Sequence, residues 1–201
     1  MTSQVPTPPK SPTPLKNLTT ILVPILLILG VTWGALSFLK SQVARNKPAS
    51  QTTLELSVGN TLPDLELTRT DGSKILLSSL QAKVVLINFW ATWCEACMEE
   101  MPSLVKLYDE YKPQGLEVVG INLDEKPAQA IASTASEFGM KFQNFMDADG
   151  KLGDAFDVHA IPLTVIVDGS RKILEKVAGD RNWMHPSFTD KAKGWLAQPS
   201  R

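Results

Sequence analysis

Cys94 and Cys97 are the only cysteines in a chain of 201 residues, and they stand three apart in the run Trp93-Cys94-Glu95-Ala96-Cys97. Two thiols at that spacing can close and reopen one disulfide, moving two electrons each time. The preceding Val84-Val85-Leu86-Ile87-Asn88-Phe89-Trp90 reads as a buried parallel strand, and Met98 to Tyr111 has helical periodicity. The pair therefore falls on a strand-to-helix turn, where the unsatisfied N–H groups and dipole of a helix start stabilise negative charge on the sulfur of Cys94. An unperturbed thiol is only about 3% ionised at pH 7, whereas helix-terminal CxxC thiols can have pKa values of about 7 or well below. Position makes Cys94 the attacking thiol and Cys97, one helical turn on and further inward, the resolving thiol.

Two plainer readings compete. A zinc site needs four ligands, and beyond this pair the chain offers only His159 and His185 at unrelated spacing. A purely structural disulfide gains little from so short a loop. Of the residues around the motif, Glu100 stands at the edge of the helix's apolar stripe of Cys97, Met101, Leu104, Val105 and Tyr108, whereas Glu95, Glu99 and Lys106 point outward. Desolvation there raises a carboxyl pKa, making Glu100 a candidate proton exchanger for the cysteines; the competing reading is an exposed helix-surface glutamate. Glu95, between the cysteines, disfavours the thiolate of Cys94. Trp93 is expected as a partly exposed wall of the site and Trp90 as core; Pro102 should kink the helix, His159 reads as structural, and Trp183 reads as packing under the last helix.

The elements that must hold this turn can be read on either side of it. Leu65-Glu66-Leu67 and Ile75-Leu76-Leu77 flank Asp71-Gly72, a hairpin signal. After the motif come a strand in Leu116 to Leu123, a helix from Pro127 to Phe138, a short helix near Asp149 to Phe156, a hairpin of Leu163 to Asp168 with Ile173 to Ala178, and a closing helix from Ser187 to Ala197. This pattern predicts an α/β fold with a central mixed sheet flanked by helices and an N-terminal β-hairpin.

Ahead of that domain, assigned to residues 54–201, lies a different composition. Residues 1–17 carry Pro6, Pro8, Pro9, Pro12 and Pro14 and read as a disordered tail. Leu18 to Leu39 runs 22 residues without a charge. At 1.5 Å per residue such a run reaches ~33 Å, enough to cross a hydrocarbon core of ~30 Å once. Residues 18–39 are accordingly expected as a single transmembrane helix and residues 40–53 as a polar linker; a cleaved signal peptide ending near Ala35-Leu36-Ser37 is the alternative. Lys10 and Lys16 on one side balance Lys40, Arg45 and Lys47 on the other, so charge does not orient the span. Compartment chemistry favours an inner-membrane protein whose dithiol domain faces the periplasm or its equivalent. The formal charge of -1 gives no sign of nucleic-acid binding.

Several runs together resemble the thioredoxin superfamily, and more narrowly its membrane-anchored TlpA/ResA-like thiol-disulfide oxidoreductases. They are Val58-Gly59-Asn60-Thr61-Leu62-Pro63-Asp64, Asn88-Phe89-Trp90-Ala91-Thr92-Trp93-Cys94-Glu95-Ala96-Cys97, Glu100-Met101-Pro102 and Ala160-Ile161-Pro162-Leu163-Thr164. The resemblance implies a thioredoxin-like fold, catalytic Cys94 and Cys97, a functional acid at Glu100, and a cis-proline at Pro162 beside the dithiol, with Ile161 and Trp93 helping to dock an extended substrate segment. It implies no cofactor and no metal. The implied partners are protein disulfides, with cytochrome c apoprotein as favoured substrate, and a membrane thiol-transfer protein as electron donor. Two departures matter: Asn88 stands where thioredoxins carry a buried aspartate, leaving Glu100 as the candidate proton carrier, and Leu163 stands where the family often has threonine. The alternatives are a disulfide donor, a metal-handling module of the same fold, a scaffold with an incidental dithiol, and a peroxiredoxin. The last requires threonine three residues before its cysteine, whereas Thr92 is two before Cys94.

Overall fold

The computed structural model describes residues 54–198, within the unit formed by residues 51–201. The expected tail 1–17, span 18–39 and linker 40–53 lie outside the described residues, and among those described no helix is long and apolar enough to cross a membrane.

The first element is the anticipated hairpin, β1 (Glu66–Thr68) with β2 (Lys74–Leu76), paired antiparallel. Its turn is held by the Asp71 carboxylate, which accepts the Ser73 N–H at 2.8 Å, and by Gly72 at φ +83, a backbone region in which a side chain is strained. A 3-10 turn (Leu77–Leu80) leads to β3 (Val84–Trp90), and α1 (Glu95–Tyr111) follows. Next come β4 (Leu116–Asn122), α2 (Pro127–Phe138), β5 (Gln143–Met146), the short α3 (Lys151–Ala155), β6 (Leu163–Asp168), β7 (Ile173–Ala178) and α4 (Pro186–Leu196).

The seven strands form one mixed sheet in the order β2-β1-β5-β4-β3-β6-β7. β3 and β4 run parallel at its centre and are buried at every position, which explains why their sequences are nearly unbroken apolar runs. β5 does not follow from the sequence pattern: Gln143 and Asn144 interrupt the apolar alternation, yet the strand pairs parallel with β4 and, through Thr68↔Met146, joins the N-terminal hairpin to the sheet. α1 begins at Glu95 rather than at Met98, because the sulfur of Cys94 caps it, and it runs through Pro102 as one helix.

Each face of the sheet buries its own layer. Val84, Leu86 and Trp90 of β3 pack with Met101, Leu104 and Leu107 of α1, Ile131 of α2 and Phe188 of α4. Val85, Ile87 and Phe89 point to the opposite layer, with Leu62, Leu67, Leu77 and Phe156. Outside the strands the cover is unequal: α1, α2 and α4 pack on the first layer, whereas the 3-10 turn, α3 with the following Phe156, and the segment before β1 pack on the second. Strict alternation along β3 has a consequence for chemistry, because it turns the side chain of Asn88 into the layer that contains α1.

Candidate active site

The turn between β3 and α1 is built from backbone contacts and one carboxylate. Asp124, just past β4, accepts the N–H of Thr92 at 3.0 Å and its hydroxyl at 2.7 Å, and it accepts Asn122 Nδ2 at 2.7 Å. The Leu123 N–H donates to the Trp90 carbonyl at 3.0 Å and the Cys94 N–H to the Ala91 carbonyl at 3.2 Å. These contacts aim Cys94 into the N-cap position of α1, where its Sγ accepts the N–H of Cys97 at 3.1 Å. A sulfur in the place usually held by a serine or aspartate oxygen is an arrangement that stabilises a thiolate.

Cys94 and Cys97 are joined as a disulfide with Cα atoms 5.3 Å apart. Cys97 is fully buried and Cys94 nearly so, while Trp93 beside them is 70% exposed. A groove of about 430 Å³ opens at the pair, lined by Trp93, Cys94, Ala96, Leu123, Val158 and Ile161, with His159 on its rim. The structure thus brings Trp93 and Ile161 to the dithiol, as expected. The Ile161-Pro162 bond is cis, also as expected. Pro162 itself is buried outside the groove lining, and its carbonyl accepts the Gly179 N–H at 2.9 Å. His159, read as structural from the sequence, is exposed, with Nε2 3.0 Å from Asp157 Oδ1.

Glu100 is buried, 3% exposed, on the same face of α1 as Cys97 and one turn further along. Its Oε1 accepts Asn88 Nδ2 at 2.9 Å and its Oε2 accepts Trp183 Nε1 at 3.0 Å. Asn88 reaches it because β3 and β6 pair Asn88 with Thr164, whose Oγ1 takes the second Nδ2 hydrogen at 2.9 Å. Desolvation pushes the Glu100 carboxyl up to about 7, against the downward pull of the Asn88 and Trp183 hydrogen bonds and the Arg181 backbone and with a small upward push from Asp180. The exposed-glutamate reading therefore fails, and a carboxyl that titrates near neutrality stands one turn from the resolving cysteine.

The sequence points to Glu100 but not to the residues that grip it. Trp183 does pack under the last helix, edge-on to Phe188 with ring centroids 4.9 Å apart, but its indole N–H also reaches 83 residues back along the chain to Glu100. Asp124, which fixes the turn, is equally hidden. Its only signal is an acidic residue at the carboxyl end of a buried strand beside the motif.

Comparison with known proteins agrees with this geometry. Residues 58–176 match the AhpC/TSA family. The chain is 36% identical over 124 residues to the thiol-disulfide oxidoreductase ResA of Bacillus subtilis (strain 168), covering 62% of this chain and 69% of that one. It is 30% identical over 166 residues to ResA of Bacillus cereus (strain ATCC 10987 / NRS 248), covering 83% and 91%. A crystal structure assigned as a thiol:disulfide interchange protein DsbE from Chlorobium tepidum superposes with a TM-score of 0.64 at 26% identity, over 71% of this chain and all of that one. With the fold, the dithiol turn and these relatives in agreement, the chain belongs to the AhpC/TSA family of thioredoxin-like proteins and is a thiol-disulfide oxidoreductase of the ResA type.

Proposed function

We propose that this oxidoreductase works as a disulfide reductase, tethered to the inner membrane by residues 18–39, with its dithiol on the periplasmic or equivalent outer side. Reduced Cys94 attacks a disulfide of an extended protein segment lying in the groove between Trp93 and Ile161. One substrate sulfur leaves as a thiolate and a mixed disulfide forms. Cys97 gives its proton to the Glu100 carboxylate and attacks Cys94 Sγ, releasing the second substrate thiolate, which takes up a proton. Two electrons have then passed from the dithiol to the substrate, and a membrane thiol-transfer protein restores them. Cytochrome c apoprotein, with two cysteines in its haem-attachment segment, is the favoured substrate.

The observation that carries the reductive direction is Glu100 itself, buried one turn from Cys97 and held by neutral donors rather than by a cation. A strong oxidant needs surroundings that stabilise its reduced thiolate. Here the side chains on the helix next to the sulfurs are the carboxyl groups of Glu95 and Glu100, which work against that charge. The uncharged run from Leu18 to Leu39 supports the tether.

Equilibration of the full chain in defined thiol-disulfide buffers tests the direction. A midpoint near or below about -270 mV is expected, and one near about -120 mV would make the protein a disulfide donor instead. Retention of the chain in membranes through alkaline carbonate washing tests the tether, and reduction of a disulfide-bonded apocytochrome segment by the reduced chain tests the substrate.

A further inference from the structure

We propose that Trp183 is a positioning residue for the Glu100 carboxyl. Its indole N–H, delivered by a latch on Ser103, keeps Oε2 permanently an acceptor, so that the exchangeable proton is carried on Oε1, where the Asn88 amide turns over to receive it. The inference rests on the reading of Glu100 as the proton carrier and adds which oxygen carries the proton and which residues decide it.

The chemistry of the donors forces the asymmetry. An indole nitrogen can only donate, so the carboxyl oxygen 3.0 Å from Trp183 Nε1 has no use for a proton of its own on that side. An asparagine amide has both characters. With Glu100 ionised, Asn88 Nδ2 serves Oε1 and Thr164 Oγ1, and Asn88 Oδ1 is left fully buried without a hydrogen-bond partner. That acceptor is unused while Glu100 is ionised, and it is the group a protonated Oε1 requires. Rotating the amide by half a turn presents Oδ1 to the Glu100 O–H and to the hydroxyl of Thr164, and carries the Nδ2 hydrogens to the place that Oδ1 held.

Trp183 is held at its backbone by Ser103 and on its ring by Arg181 and Phe188, which suits a fixed donor opposite an adaptable one. The Ser103 hydroxyl accepts the Trp183 backbone N–H at 3.0 Å and lies 2.8 Å from the Glu100 carbonyl and 3.3 Å from that of Arg181, tying the 181–183 segment to the turn of α1 that carries Glu100. The Arg181 guanidinium lies over the Trp183 ring at 5.4 Å and over Phe188 at 5.5 Å. Glu175 approaches Arg181 at 3.6 Å and is itself met by Lys191 at 3.1 Å. The ionisable groups around Glu100 are thus Cys97 on its own helix and, in the 179–185 segment, Asp180 and the paired Arg181; β3 and β6 present only Asn88 and Thr164.

The test is a carbon-13 NMR titration of the Glu100 carboxyl in the full chain, identified by its disappearance in Glu100→Gln, for the parent, Trp183→Phe, Ser103→Ala and Ser103→Thr. Losing a donor to the ionised form should raise the Glu100 midpoint by about one pH unit in Trp183→Phe. Ser103→Ala should move it the same way by less, and Ser103→Thr, which keeps the hydroxyl, should restore it. Ser103→Ala carries the test if Trp183→Phe does not fold. The Asn88 side-chain amide resonances should change across the same midpoint in the parent. Unmoved midpoints in folded variants, or Asn88 resonances indifferent to the Glu100 proton, overturn the proposal. If the midpoint moves while the pH profile of disulfide exchange does not follow it, the positioning role stands and the assignment of Glu100 as proton carrier falls.

Discussion

The molecule buries two glutamates to the same degree and treats them differently. Glu100 and Glu117 are each 3% exposed. Glu117 lies near the start of β4, paired in register with Val85 at the end of the parallel strands remote from the dithiol, and its carboxylate meets the ammonium of Lys112. Glu100 packs against β3 at Asn88, nearer the dithiol end, and its side-chain partners are an amide and an indole. Burial alone therefore does not mark a functional acid; the partner does. A cation neutralises a buried carboxylate in place, whereas neutral N–H donors offset only part of the desolvation and leave a group that changes charge near pH 7.

The largest effect expected within this contrast belongs to the dithiol that Glu100 serves. Cys94→Ser should abolish disulfide exchange in an insulin- or peptide-reduction assay while leaving the fold, read by circular dichroism, unchanged. Residual turnover above background would remove Cys94 from the attacking role. Glu100→Gln comes next. It keeps the shape and loses the proton, so exchange should slow by about 10²-fold, and the inflection near pH 7 in the rate profile should disappear. A profile that keeps the inflection assigns it to another group.

Stability should carry the same signature. The folded-state value of Glu100, about 7, is above the 4.5 of an unburied glutamate, so between those pH values the folded protein binds more protons than the unfolded chain. Stability must then fall as pH rises from about 4.5 to 7, by up to ~3 kcal/mol for the full shift, and stay level above it. Glu100→Gln should flatten that slope in urea titrations of the oxidised protein across the pH series. A slope unchanged by the substitution would mean that Glu100 is already ionised in the fold at pH 5.

Much of this site is legible in the amino-acid sequence, and what is legible is local. Cys94, Cys97 and the strand and helix around them lie within one continuous run, and the 3.6-residue stripe of α1 places Glu100 beside Cys97. Two features stay hidden there for physical reasons. β5 is short and begins with Gln143 and Asn144, and it is held as a strand by β4 rather than by its own propensity. Asn144 is also in use elsewhere: its Oδ1 accepts the indole N–H of Trp90 at 3.1 Å across Gly120, where any Cβ would fall 2.0 Å from that oxygen. The grip of Asn88 and Trp183 on Glu100, with Thr164 holding Asn88, depends on strand register and on a loop far away in sequence, and periodicity carries neither.

The smallest effect is the one that most sharply tests the contrast, because it applies the same substitution to the other buried glutamate. Glu117→Gln removes the counter-charge of Lys112, but the Lys112 side chain is 47% exposed and can be rehydrated, so the cost should be about 1 kcal/mol, far below that of stranding a fully buried charge. Disulfide exchange and its pH profile should match the parent, since Glu117 stands at the opposite end of the strands from Cys94. Stopped-flow exchange rates for the two glutamine variants, measured side by side, decide the matter. If Glu117→Gln slowed exchange as much as Glu100→Gln, buried charge anywhere in the sheet would govern the dithiol through overall stability, and the neutral partners of Glu100 would lose their special meaning.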